Sequence, residues 1–510
     1  MNRKVIGSIL IIFLLSVLVA MYFLSSSRSD NQTLPNGVKE DGESILNLKA
    51  EASGDRPIKE FKLTAKESDW KFDAENRVQA WTYNGTVPGK ELRVQEGDYI
   101  KVDLKNELDV PVTIHWHGVI LPNKMDGVPG LTQDAVQPGE TFMYEFVAGD
   151  AGTYWYHSHQ HSSEQVDKGL YGMFIVEEKE KTYAVDQSFI LDEWAVNSEK
   201  ESMSNMAGMM SGSMQGDGEA DTKEMYDTYT VNGKTASEVE ALVLEKGEKA
   251  RVRLVNAGYQ QHRLVFPEGT MKVIEVDGEA VKGTANSSNV LEIAPGERMD
   301  VEITQKKAEP WVISGVDSPE NSPGITIPVS PKKGVDVTEL KNATTNQSEA
   351  IMEGTSAGSE ELIFNEEPEK VDVSYTMDLN MGMNMGEGMV FQINNDTFPD
   401  TPPIRVEEGD VVKVDIKNSG RLNHPMHLHG HRFQVASKNG EKYDSPIVKD
   451  LLNVKPGETY VIYFKADNKG EWLFHCHDNN HADRGMVTVL DYEGVYSPFG
   501  LDGKADNQPN

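Results

Sequence analysis

The chain has one cysteine, Cys476, in 510 residues. An internal disulfide is impossible, and a structural zinc site of the usual kind, with two to four close cysteines, is disfavoured. The thiol must be explained by its own chemistry. Cations are also short: 49 Lys and Arg face 82 Asp and Glu, for a formal net charge of −33. Duplex nucleic acid and anionic membrane surfaces are poor partners for such a chain, and attraction of cations follows naturally. Solubility in a harsh medium explains the same balance. No sustained helical period runs through the body. Long apolar runs are confined to Val5 to Leu24, twenty residues without a charge, enough to cross a bilayer. Arg3 and Lys4 would hold the short end in the cytoplasm. No small-residue cleavage pattern stands before Ser25, which favours an uncleaved anchor over a signal peptide. The remainder is expected to be extracytoplasmic, anchored at the membrane or secreted if the segment is cut. Oligomeric state is not legible.

What is present is a triplicated pattern. Residues 25–57 are rich in Ser, Asn, Asp, Glu and Gly and read as a linker. Beyond them, alternating stretches such as DYIKVDLKNE (98–107) and ETFMYEFVA (140–148) are separated by Pro-Gly and Gly-rich breaks, the signature of short strands in a sandwich or barrel. QEGDYIKVDLKN (95–106), EKGEKARVRLVN (245–256) and EEGDVVKVDIKN (407–418) are versions of one turn and strand. VQPGETFMYEF (136–146), IAPGERMDVEI (293–303) and VKPGETYVIYF (454–464) recur at similar offsets. The expected organisation is all-β: a first unit over 58–182, a second over 183–344, a linker over 345–370, a third unit over 371–495 and a tail over 496–510.

The first and third units also share histidines. His115-Trp116-His117-Gly118 begins nine residues after Asn106, and His427-Leu428-His429-Gly430 begins nine after Asn418. His157-Ser158-His159 and His475-Cys476-His477 follow their Pro-Gly-Glu landmarks in parallel, so Ser158 stands where Cys476 stands. Period-two geometry puts both imidazoles of each pair on one face of a strand and Cys476 on the other. Two adjacent metal sites would then meet at one tripeptide. With His424 and His481 these pairs account for ten of the thirteen histidines. Imidazoles, one thiolate and a weak thioether at Met486 form a donor set suited to copper. The middle unit has no such pair; His262 stands alone there, and the unit reads as a spacer. His161, His262 and His431 are expected to serve packing or face solvent.

HWHG, WYHSH, HPMHLHGH and HCHDNNHADRGM together resemble the four signature segments of the multicopper oxidases, the laccase and cuprous oxidase family, over roughly residues 58 to 495. The resemblance implies three consecutive cupredoxin-like Greek-key β-sandwich domains and four copper ions. The type 1 copper would take His424, Cys476 and His481, with Met486 axial. The type 2 copper would take His115 and His427. One type 3 copper would take His117, His157 and His477, and its partner His159, His429 and His475. The family couples four one-electron oxidations of a reductant to reduction of dioxygen to water. Cys476, His475 and His477 would carry electrons between the sites, and Asp126 would be an acid beside the cluster. The second family acid usually follows the type 1 histidine directly; here that place is Ala482, with Asp483 one residue along.

Two Met-rich stretches bear on the reductant: 203–214 in the middle unit, and Met377, Met381, Met383, Met385 and Met389 at the start of the third. Their Gly, Ser and Asn neighbours argue for flexible loops rather than core, and soft thioethers prefer Cu(I). Cuprous oxidases of bacterial copper tolerance carry a Met-rich insert over the type 1 site, so Cu(I) is the expected reductant. Relatives often place an acid and a Met before the HPxH motif; here Ser419 to Asn423 stand there. A laccase-like oxidase of phenols and aromatic amines is the alternative. A non-catalytic, copper-sequestering cupredoxin protein is the third reading, and it leaves the eight paired imidazoles unexplained. Mn(II) and Fe(II) remain further candidate reductants.

Overall fold

The computed structural model describes residues 42–180, 182–196, 226–282, 288–316, 324–334, 340, 351–384, 388–501 and 505–509. The apolar run 5–24, the Met-rich stretch 203–214 and Met385 lie outside the described residues. Among the described residues no helix is long and apolar enough to cross a membrane.

Three β-sandwiches follow one another, and the repeated landmarks explain their construction. In each unit the first landmark strand pairs in parallel with the strand that opens the unit: Tyr99–Asn106 with Ile58–Lys71, Lys249–Asn256 with Val185–Trp194, and Val411–Asn418 with Val373–Asn384. On its other edge it pairs antiparallel with the second landmark, namely Thr141–Val147, Arg298–Thr304 and Thr459–Lys465. Such mixed, non-sequential order makes the units Greek-key sandwiches rather than meanders. The period-two pattern buries one face: Val102 and Leu104, Val252 and Leu254, and Val414 and Ile416 are all at most 1% exposed.

The asparagine that ends each first landmark is fully buried, and it brackets two chain segments. Asn106 Nδ2 donates to the carbonyls of Val110 and Val136, Asn256 Nδ2 to Gln260 and Ile293, and Asn418 Nδ2 to Leu422 and Val454. Each Oδ1 accepts a backbone N–H two residues on. A buried amide is tolerable when its donors and acceptor are met in this way.

The second sheet of the outer units carries the histidines. Strand His115–His117 pairs with Gly152–His157 so that His115 faces His157. Strand His424–Leu428 pairs with Glu471–Cys476 so that His427 faces His475 and Met426 faces Cys476.

Three segments depart from the sequence reading. Within the expected 25–57 linker, Glu43–Ser44 pairs in parallel with Val495–Tyr496, Ile45 is fully buried and Leu48 packs against the core beside it; two apolar side chains dock the segment. Within the 345–370 linker, Ile351–Met352 joins the middle domain's sheet beside Val290–Leu291. The expected loop 377–389 begins as a strand: Val373–Asn384 pairs antiparallel with Gly388–Ile393, with Met381 opposite Phe391 and Met383 opposite Met389. Met377 is fully buried in the core beside Leu379, so it does not belong to a surface Met site. Its alternation with Leu379 was the signal, masked by the Gly and Asn that follow.

Candidate metal centre

Where the first and third sandwiches meet, eight imidazoles converge. His117 stacks on His427 with centroids 3.7 Å apart, and His115 on His429 at 3.9 Å, so each stack joins the two domains. His477 lies 4.8 Å from His117 and 5.3 Å from His157, centroid to centroid. His159, His429 and His475 form a second close group. All eight rings are at most 3% exposed.

Their ring nitrogens are sorted. Nδ1 donates to a backbone carbonyl in His115 (to Asp126, 2.8 Å), His157 (Ser158, 2.9 Å), His427 (Asp450, 2.9 Å), His475 (Cys476, 3.0 Å) and His159 (Pro509, 2.5 Å). His429 Nδ1 instead meets the Asp126 carboxylate at 2.9 Å. Nε2 of His115, His157, His159 and His427, and both ring nitrogens of His117 and His477, are buried without a protein partner. A buried imidazole nitrogen without a partner is costly, and fixing Nδ1 so that Nε2 is free is how proteins orient a metal-binding histidine. Burial, reinforced by the neighbouring rings, pushes His117, His157, His429, His475 and His477 well below the ordinary imidazole range and His159 to about 3. The rings are thus held neutral, as metal ligation requires.

The second donor set lies on the other face of the same strand. Cys476 Sγ is 3.5 Å from His481 Nδ1 and 3.8 Å from His424 Nδ1, and all three residues are buried. Met486 is fully buried, and its backbone bonds both Cys476 and His481. His481 rides on the short helix Asn479–Asp483, capped by Asp478. Burial pushes the Cys476 thiol well up, so the thiolate is favoured only with a cation beside it. A fixed arrangement of two imidazoles and one sulfur suits copper rather than a hard cation.

The middle domain proves more than a spacer. Its Arg298 forms a bidentate pair with Asp450 through Nη1 and Nη2 at 2.6 and 2.5 Å, both residues being at most 1% exposed. The Asp450 carboxylate lies 3.4 Å from His427 Nδ1 and 3.7 Å from His117 Nε2. Burial alone would raise that carboxyl, but Arg298 and His427 more than offset it and hold it well below the usual range. Gly296, at φ +80°, brings the turn so close that a Cβ there would lie 2.7 Å from the His477 ring. Gly118 is needed for the same reason: its Cβ would meet Arg298 Nη2 at 2.2 Å. The signal for Arg298 was in the repeat, where the outer copies carry Thr141 and Thr459 at this place.

Of the remaining acids, Asp126 touches both domains' histidines, through His429 and through His115 at 3.3 Å. Asp483 accepts from Ser163 Oγ at 3.1 Å. His431 is buried between the His429 carbonyl and the Tyr492 hydroxyl. His262 pairs with Glu193 at 3.0 Å. His161 caps the helix Ser162–Gln165 in a left-handed conformation.

Comparison with known proteins agrees with this architecture. Models of the multicopper oxidase family match residues 64–181, 189–327 and 366–494. The chain is 29% identical to multicopper oxidase MmcO of Mycobacterium tuberculosis, over 81% of this chain and 83% of that protein. It is 25% identical to a copper resistance protein A homolog of Pseudomonas syringae pv. tomato, over 85% and 92%. The crystal structure of a multi-copper oxidase from Pseudomonas thermotolerans superposes with a TM-score of 0.66 at 27% identity, covering 86% of this chain and all of that one. With three matched domains and donor sets for one type 1, one type 2 and a type 3 pair of coppers, the chain is an oxidoreductase of the multicopper oxidase family.

Proposed function

We propose that this multicopper oxidase takes its electrons from Cu(I), in copper tolerance, on the extracytoplasmic side of a membrane. The observation that carries the reading is the Met-bearing hairpin. Directly opposed residues of an antiparallel pair share a face, so Met381, Met383 and Met389 lie on the face that also carries Phe391. The Phe391 ring sits 3.9 Å from that of His481 and 6.1 Å from that of His424. Met383 is 73% exposed at the far end. A ladder of thioethers therefore runs from solvent to the edge of the thiolate site. The Asp478 carboxyl lies 3.4 Å from His481 Nε2, and burial pushes it up to about 7. The uncharged run 5–24 supports the location.

In this reading His424, Cys476, His481 and Met486 hold the type 1 copper, and His115 and His427 the type 2 copper. His117, His157 and His477, with His159, His429 and His475, hold the type 3 pair. When bound, copper supplies the one-electron steps by which dioxygen is reduced to water. Cys476 lies between His475 and His477 in one peptide, so a short covalent path joins the two donor sets. Asp126, bonded to His429 Nδ1, is placed to hold or move a proton at that atom. The fully buried ring of Trp155, with its centroid 5.1 Å from that of His117, 4.4 Å from His157 and 5.4 Å from His477, excludes bulk water on that side of the rings.

Oxygen uptake by the copper-loaded protein tests the proposal, with Cu(I) supplied anaerobically, then phenols, then Fe(II). A variant with Met381, Met383 and Met389 changed to Leu should lose most Cu(I) turnover and keep uptake with an aromatic reductant. Unchanged Cu(I) turnover in that variant would sink the Met-ladder idea. Uptake with phenols alone would make the protein a laccase-like enzyme.

A further inference from the structure

The residues beyond 496, read from sequence as a tail, return to the trinuclear site. Leu501 packs with Val128, Leu131, Leu473 and Val487, and from there residues 505–509 lie along the first domain. Gln137 Nε2 donates to the Ala505 carbonyl, and Gln160 Nε2 to that of Asp506. The Asn507 side chain accepts from Ala135 N–H and donates to Asp134 and to the Gly500 carbonyl. Gln508 N–H donates to Gln160 Oε1, and its carbonyl accepts from His161 N–H. The series ends with the Pro509 carbonyl accepting from His159 Nδ1 at 2.5 Å. Asn507 and Pro509 are buried, and so are His159 and Gln160. In the other five rings whose Nδ1 is bonded, the acceptor belongs to a neighbouring strand, a turn of the sandwiches or the ring's own strand. His159 alone of these draws its acceptor from a segment outside the three sandwiches.

We propose that residues 505–509 are a positioning strap for the type 3 site: the Pro509 carbonyl fixes the His159 ring so that Nε2 faces the cluster. The inference rests on His159 being a metal donor. Without the strap the ring loses its Nδ1 acceptor, and the segment Ser158 to His161 loses the bonds from Gln160 and His161. The backbone of His159 would still bring the ring to the cavity. Its orientation and tautomer would no longer be set.

The test uses the copper-loaded full chain, a variant lacking 505–510, and Asn507→Ala, which removes the three side-chain bonds and keeps the Pro509 carbonyl in the chain. Copper release to a chelator is followed separately at the type 3 site, by its near-ultraviolet absorption, and at the type 1 site, by its blue absorption. Loss of a group that orients a ligating histidine typically costs ~10- to 100-fold in metal affinity. The deletion should therefore speed type 3 release by about that factor while the type 1 colour decays at the parental rate. Asn507→Ala should fall between, and it decides the matter if the deletion does not fold. In the copper-free protein, both variants should lose amide protection at His161 and Ala135. Parental release rates in both variants would overturn the strap, and so would loss of both coppers together, since that indicates general loosening. A parental protein that takes up no copper would overturn the metal assignment, and the strap with it.

Discussion

Replacing Arg298 by Met tests whether the middle domain holds the trinuclear site in place. The change leaves the Asp450 carboxylate fully buried, 3.4 Å from His427 Nδ1 and 3.7 Å from His117 Nε2, without the guanidinium that grips it at 2.6 and 2.5 Å. Breaking a buried pair in this way costs roughly 3–5 kcal/mol, because the remaining charge is uncompensated. Asp277 also loses a partner at 3.2 Å but keeps Lys449 at 2.8 Å, so the loss is confined to one carboxylate. For an unfolding unit of domain size, each kcal/mol moves the midpoint by about 2–4 °C, and the copper-free protein should melt roughly 6–20 °C lower. The sign of the pH dependence follows from the depressed Asp450 carboxyl. Its contribution is whole above the unfolded value of about 3.9 and is lost only as pH falls towards the lower folded value, so at pH 7 the full effect is read. Removing both charges with Arg298→Met and Asp450→Leu should recover most of the loss, because a buried pair replaced by apolar groups of similar volume is often neutral. Differential scanning calorimetry of the parental protein and the two variants gives the answer. A single Arg298→Met change costing under about 1 kcal/mol, or a double variant no better than the single one, would refute the reasoning.

Further outcomes follow from the same geometry. Burial pushes the Glu471 carboxyl up to about 7, reinforced by Asp491. Its ionisation therefore opposes folding between the unfolded value near 4.5 and 7, and Glu471→Gln, which can still accept from Ser497 N–H, should be more stable by up to about 3 kcal/mol at pH 8 and no different at pH 4. Melting curves at the two pH values check this; equal gains at both would point to packing. Asn256→Ala removes the buried side-chain bonds to the Gln260 and Ile293 carbonyls and from the Gly258 N–H, and should cost roughly 2–4 kcal/mol in urea unfolding. Cys476→Ser should abolish the blue absorption and one copper of four while leaving the trinuclear set loaded, as judged by metal analysis. Loss of all four would mean that the thiolate site also props up the cluster.

The sequence showed the sandwich architecture because its repeats are backbone devices: a glycine turn, an alternating strand and a closing asparagine have one structural use each. The donor histidines were legible for a related reason, since paired imidazoles at period two leave few other readings. Asp450 was not, because a single charged residue resembles any solvated one until its partner, 152 residues away, is placed beside it; Arg298 showed only as the odd residue at its place in the repeat. The strap was missed because backbone carbonyls carry no signature: Pro509 acts through an atom every residue has. Met377 misled because its neighbours Met381 and Met383 lie beyond the sheet's buried part while it does not.

The two imidazole stacks, His117 on His427 and His115 on His429, have a consequence for assembly. Four of the eight cluster histidines belong to the first sandwich and four to the third, so neither holds a complete pocket before they dock. Metal uptake and domain docking are then one equilibrium: ions captured at the seam act as rivets, and a chelator that removes them loosens the two ends of the molecule from each other.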